Sequence, residues 1–251
     1  MTEEQQIWFD KLAKDREDSA KTLEKPSMRG IKNSVVEKYS DQAHFIYELL
    51  QNANDAKATK SSFQLKQDGL YFIHNGKILF SVSNPDIEDE DKENNRLGHI
   101  NSITAIANSN KTESSIGKFG VGFKAVFQYT ETPRIYDPNF QFEIDRFIIP
   151  VKLKNDLPDR QENETVFYFP FNKDEMPAEK AHSDILKKLK NLVFPTLFLN
   201  CLEEVTWSSE TEQGVYFKNV QPNTNHYDID YSEIELLQEV NGNTEREKLL
   251  L

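Results

Sequence analysis

The amino-acid sequence predicts an α+β domain in which helices cover one face of a mostly antiparallel, mixed sheet. Three observations carry that expectation. A helical period dominates residues 41–58 and 181–201, short alternating runs joined by turn residues fill much of the rest, and no internal repeat or low-complexity linker breaks the 251-residue chain. At 37% hydrophobic and 29% charged, the chain has enough apolar material for a sizeable core, which excludes a disordered reading.

From the amino terminus, residues 3–24 are rich in Glu, Lys, Asp and Ala, with Ile7, Trp8, Leu12 and Leu23 as apolar positions. They predict an amphipathic helix on the outside of the domain, stopped by Pro26. Residues 41–58 give the clearest helix: Asp41 is suited to cap it, and Phe45, Ile46, Leu49, Leu50 and Ala53 recur with a period of about 3.6. Strands follow at 62–67 and 70–74, with Asp68-Gly69 as the hairpin turn. The acidic stretch 84–96 reads as a surface loop, and residues 99–107 as a helix. Residues 134–136, 140–149 and 165–171 alternate as strands do, with Asp137-Pro138-Asn139 turning between the first two. A second long helix spans 181–201, interrupted by Pro195, and strands at 205–208 and 215–218 close the pattern. Residues 227–251 are polar and acidic and predict no particular fold. The resulting division is an N-terminal helical extension (1–27), a main domain (28–210), and a strand with an acidic tail (211–251) leading toward a further domain.

Thirty Lys and Arg against 42 Asp and Glu leave a net charge of −12. Such a surface repels nucleic acid and anionic membrane, so direct nucleic-acid binding by this domain is not expected. The chain has no run of about 18 apolar residues and no signal peptide at its start, so it is expected in the cytoplasm. Cys201 is the lone cysteine, and His44, His74, His99, His182 and His226 lack the close pairing of a zinc helix.

Two segments carry chemistry. On the strongest helix, at 100° per residue, Asn52 falls about 40° from Glu48, and Asp55 about 20° to its other side, so three polar groups share one stripe. A carboxylate beside a carboxamide can polarise a water while the amide oxygen binds a hard cation such as Mg²⁺. Of only nine glycines, Gly117, Gly120 and Gly122 crowd into Ile116-Gly117-Lys118-Phe119-Gly120-Val121-Gly122-Phe123-Lys124, after Ser109-Asn110-Lys111. This G-x-x-G-x-G runs into an apolar helical stretch and would offer free backbone N–H groups to phosphate, with Lys111, Lys118 or Lys124 adding charge. It is neither a P-loop nor a dinucleotide fingerprint.

Taken in order, a helix with E-x-x-x-N-x-x-D, a strand ending in His74-Asn75-Gly76, a Ser and Lys loop, the G-x-x-G-x-G segment and a strand opening at Thr165 resemble the Bergerat (GHKL) nucleotide-binding fold. That fold is a two-layer α/β sandwich shared by gyrase, heat-shock-ninety chaperones, histidine kinases and MutL. The resemblance covers about residues 28–210. It is strongest in HFIYELLQNANDA and SSIGKFGVGFKAVFQYT, which look like the sacsin-type branch related to the chaperones.

The resemblance implies an ATPase that binds ATP with Mg²⁺ and is slow in isolation. Glu48 would activate water, Asn52 would hold the metal against the phosphates, and Asp55 would lie near the nucleotide. Ser109 and Lys111 would belong to a lid, Gly117, Lys118, Phe119, Gly120, Val121, Gly122 and Phe123 to the phosphate loop, and Thr165 would sit near the base with His74, Asn75 and Gly76. In the family's D-x-G-x-G motif the aspartate accepts from the adenine amino group. Here His74 stands in its place and Ile78 replaces the second glycine, so a neutral imidazole would have to supply the acceptor nitrogen. The resemblance also implies lid closure coupled to conformational change or homodimerisation, and further domains or partner proteins, as in bacterial defence systems. A nucleotide-binding switch with little or no hydrolysis is the alternative.

Overall fold

A computed structural model describes residues 1–28, 30, 44–105, 122–221, 224–226 and 229–250. Asp41, the expected cap, lies outside them. Helix α1 (Glu3–Leu23) opens with a capping box: Thr2 accepts from the Gln5 amide at 3.2 Å, and Gln5 accepts from the Thr2 amide at 2.9 Å. Its inward stripe is Phe9, Leu12, Arg16 and Ala20, whereas Ile7, expected on the apolar face, is 64% exposed. The reason is phase: Phe9 packs on Phe140 and Phe142 with ring centroids 6.0 Å away in each case, which turns Ile7 outward.

Helix α2 (His44–Asp55) buries Phe45, Ile46, Leu49, Leu50 and Ala53. Each fully buried leucine on that stripe contributes about 1.5–3 kcal/mol relative to exposure. Strands β1 (Lys60–Lys66) and β2 (Gly69–His74) pair antiparallel, with Lys66 opposite Gly69. The two turn residues are therefore Gln67 and Asp68, not Asp68-Gly69. Gly69 belongs to the strand, where a Cβ would come within 2.6 Å of the Tyr168 ring. The acidic stretch expected as a loop instead contains a 3₁₀ turn (Pro85–Ile87) and helix α3 (Glu88–Glu93), and α4 (His99–Thr104) follows. Asn101 ties these pieces together, accepting from the Ser83 amide at 2.8 Å and donating to Glu88 at 2.8 Å. Arg16 of α1 reaches the same Glu88 at 2.6 Å.

A 3₁₀ helix (Gly122–Gln128) packs on α2 and leads to β3 (Arg134–Tyr136), β4 (Gln141–Asp145) and β5 (Ile149–Lys152). The single strand expected over 140–149 is thus broken. Arg146 and Phe147 take positive φ of 47° and 78°, reversing the chain between β4 and β5. Then come β6 (Thr165–Pro170), α5 (Ala178–Lys190), β7 (Glu204–Ser208), β8 (Gln213–Val220), β9 (Thr224–His226), β10 (Ile229–Tyr231), β11 (Glu233–Val240) and β12 (Asn243–Leu250). Helix α5 ends well before Pro195, so the second long helix is shorter than its periodicity suggests.

Ten strands form one sheet in the order β12-β11-β8-β7-β1-β2-β6-β3-β4-β5, and β9 pairs with β10 separately. Among the described residues only the β1–β7 pairing is parallel, so the sheet is mixed and mostly antiparallel, consistent with the α+β class. The acidic tail supplies its last two strands. At the centre, Phe63 of β1 faces Phe72 of β2 at 4.6 Å, and Tyr71 stacks on Tyr168 of β6 at 4.4 Å. Such cross-strand pairs each add about 0.5–1.5 kcal/mol and fix the register that brings His74 opposite Thr165.

Candidate functional site

The site forms where the C-terminal half of α2 meets the end of β2. The carbonyl of Ala56, just past α2, accepts from the amides of both Lys77 (2.8 Å) and Ile78 (3.0 Å), so the chain leaving β2 caps the helix end. Gly76 permits this approach: a Cβ there would lie 2.8 Å from both the Ala56 methyl and His74 Nδ1. Asn52, Ala56, His74, Ile78, Leu79, Phe80, His99 and Phe167 enclose a cavity of about 10 Å³, room for one water. Ile78, on its lip, is 46% exposed.

Glu48 and Asn52 stand one turn apart on α2, as their spacing predicts. Asn52 is 6% exposed, and among the described residues its carboxamide, in the cavity wall, has no hydrogen-bond partner. Glu48 is partly exposed and lies directly against Gly122, where an added Cβ would overlap its carboxylate. The first turn of the Gly122–Gln128 helix is thereby set beside the acid. Asp55 lies partly buried outside the cavity wall, and burial raises its pKa. No group of three or more His, Cys, Asp or Glu side chains suited to a metal occurs among the described residues. Asn52 nonetheless fits Mg²⁺ held in the manner common for nucleotide complexes, with few protein ligands and the remainder water and phosphate.

At the base of the cavity His74 is 4% exposed, and burial lowers its pKa to about 4. Its Nδ1 accepts from the Gly76 amide at 3.1 Å. The acceptor nitrogen expected to face a base is therefore taken by the turn, a consequence of the tight H-N-G backbone. Asn75 is committed to structure as well: its Oδ1 accepts from the amides of Thr59 and Lys60 at 3.0 Å each, and its Nδ2 donates to Thr59 Oγ1. Thr165, 1% exposed, donates to Asp137 Oδ2 at 2.8 Å, while Asp137 Oδ1 accepts from the Asn139 amide.

Two expectations about the glycine segment meet the core. The Phe123 ring is buried against Phe167 and Phe169, at 6.0 and 6.1 Å. Lys124, expected as one source of phosphate-binding charge, turns inward: it is fully buried, donates to the Phe147 carbonyl at 2.7 Å and lies 4.6 Å from that ring's centroid. Burial holds its pKa well below the usual lysine range, so it gives no surface charge to this site. Ser109, Lys111, Gly117, Lys118, Phe119, Gly120 and Val121 lie outside the described residues. Sequence reasoning passed over His99, Phe80 and Phe167 in the cavity wall, and read Asp137 as a turn residue alone. The Asp-Pro-Asn triplet signalled that turn, and nothing local signals the second oxygen's contact with a strand 28 residues away.

Residues 24–145, which contain most of this site, match the Sacsin domain family. Sacsin of Homo sapiens is 33% identical over 129 residues, covering 46% of this chain and 3% of the relative. Protein NO VEIN of Arabidopsis thaliana is 32% identical over 116 residues, covering 43% of this chain and 4% of the relative. The match thus spans a small part of both long proteins. No helix among the described residues is long and apolar enough to cross a membrane. The chain carries a sacsin-like module, and the α2 helix, the His74 turn and the start of the Gly122–Gln128 helix all fall within the matched residues.

Proposed function

We propose that this module binds a purine nucleoside triphosphate, ATP being the one the sequence points to, with Mg²⁺, and hydrolyses it slowly. The observation that carries the reading is Asn52: a carboxamide in a cavity wall without a hydrogen-bond partner among the described residues, one helical turn from a carboxylate set against the backbone at Gly122. A carboxamide that lines a cavity with its hydrogen-bonding capacity unused is suited to a ligand or water. In this mechanism Asn52 would hold Mg²⁺, which when bound would supply positive charge at the phosphates. Glu48 accepts a hydrogen bond from the attacking water and aligns it with the γ-phosphorus. The start of the Gly122–Gln128 helix lies beside Glu48, where its backbone amides would be available to phosphate oxygens. Mg²⁺-dependent phosphate release is measured for the wild type, Glu48→Ala and Asn52→Ala. Loss of turnover with retained binding in Glu48→Ala, and loss of binding in Asn52→Ala, are expected. Equal turnover in wild type and Glu48→Ala rules out the role given to Glu48.

The cavity size favours a coupled reading, a nucleotide-dependent switch. A purine far exceeds a one-water cavity, so its entry displaces residues 78–80. These connect through Ser81 and His99, 2.9 Å apart, to α4 and onward through Glu88 to α1. Nucleotide binding then rearranges a surface able to control association with a second copy or a partner domain. Sedimentation with and without a non-hydrolysable triphosphate tests this; an unchanged monomer at saturation refutes nucleotide-driven dimerisation.

A further inference from the structure

We infer that the base end of this cavity reads a hydrogen-bond acceptor, and therefore takes a 6-oxopurine nucleotide in preference to an adenine nucleotide. The inference rests on the nucleotide-binding reading above and specifies the base. Its ground is the hydrogen-bonding capacity of His74. A neutral imidazole has one acceptor nitrogen and one donor nitrogen. The turn after β2 takes the acceptor, because Gly76 N–H donates to Nδ1 at 3.1 Å. The proton is therefore on Nε2, which has no hydrogen-bond partner among the described residues, on a ring that forms part of the cavity wall.

Other groups at this end do not restore an acceptor. The nearby acid, Asp137, is 0% exposed and already accepts from Thr165 and from the Asn139 amide, and no Asp or Glu lines the cavity. His99 pairs with the Ser81 hydroxyl through Nδ1 at 2.9 Å, and when that hydroxyl donates, the proton of the ring is on Nε2, again a donor. Asn52 lines the same cavity, and in the nucleotide reading its oxygen is committed to Mg²⁺. An adenine amino group directed at His74 sets donor against donor, whereas a 6-carbonyl accepts from Nε2–H. Buried sites that match one hydrogen-bonding pattern discriminate strongly against its inverse, because a mismatch leaves both partners unsatisfied.

The test is calorimetric titration of inosine triphosphate and adenosine triphosphate, each with Mg²⁺, into the full chain and into His74→Asn and His74→Asp. The wild type is expected to bind inosine triphosphate at least about tenfold more tightly, a difference of about 1.4 kcal/mol. His74→Asn keeps that preference, since Oδ1 can accept from Gly76 while Nδ2 donates to the base. His74→Asp inverts it, since a carboxylate accepts from both. Adenosine triphosphate binding as tightly as inosine triphosphate, or more tightly, to the wild type overturns the inference and leaves the nucleotide reading standing. Binding of neither overturns that reading and the inference with it. Thermal melts of both variants establish that they are folded, and the wild-type comparison decides the question without them.

Discussion

Gly122→Ala separates a positioning role from a structural one. The added methyl would occupy the space of the Glu48 carboxylate, overlapping Cγ, Cδ and Oε2. Those atoms are the far end of a side chain that is only partly buried, so Glu48 can swing aside without moving the backbone. Within a helix Ala is favoured over Gly by about 0.8–1 kcal/mol, which offsets the cost of rotating the acid. The net stability change is therefore expected within about 1 kcal/mol, or a melting shift of roughly 2–4 °C in a chain of this size. Catalysis is far more sensitive: displacing a group by about 1 Å can lower turnover about a hundredfold. Phosphate release by Gly122→Ala should fall toward that of Glu48→Ala, and the double variant should be no slower than Glu48→Ala, since both act on one group. Wild-type turnover in Gly122→Ala, or clearly additive losses in the double variant, would refute the assignment of Glu48.

Thr165→Val removes a hydrogen-bond donor to the fully buried Asp137, leaving the Asn139 amide, and should destabilise the fold by about 1–3 kcal/mol in urea denaturation. An unchanged midpoint would show that Asp137 is satisfied otherwise. Lys124 has a depressed pKa in the folded chain, so between that value and 10.5 the unfolded chain binds more protons, and this group's contribution to stability rises with pH and is lost as pH falls. As pH rises toward 10.5 the wild type should therefore gain stability relative to Lys124→Met, by at most about 1.4 kcal/mol per pH unit; parallel pH profiles of the two would count against it. Gly214→Ala places a methyl within 2.7 Å of the indole of Trp207, which is 1% exposed. Overpacking of this kind should cost about 1–3 kcal/mol, read as a lower midpoint in chemical denaturation, and a wild-type midpoint would mean that the indole has room to move.

Local patterns made most of the elements legible. The stripe Phe45, Ile46, Leu49, Leu50 and Ala53 repeats at the helical period, so α2 and the shared face of Glu48 and Asn52 could be read directly. Strand patterns located β1, β2, β3 and β6 within a residue or two. The break between β4 and β5 was hidden because Arg146 and Phe147 adopt positive φ without the glycine that would have marked it. Strand β12 was hidden because an edge of a sheet need not alternate: nearly every β12 side chain is exposed, so no apolar period remains in its sequence.

The sequence alone determined which residues share a face, because that depends only on backbone periodicity: the α2 stripe and the alternation of the central strands. Only the tertiary structure decided what those residues have left to offer. Among the described residues Asn52 keeps a carboxamide without a partner, Asn75 is bound to Thr59 and Lys60, Lys124 is sunk in an aromatic pocket, and His74 has given its acceptor nitrogen to Gly76. Free hydrogen-bonding capacity is what remains after every neighbour in space has been satisfied, and those neighbours come from distant strands and turns that no local pattern in the sequence reveals.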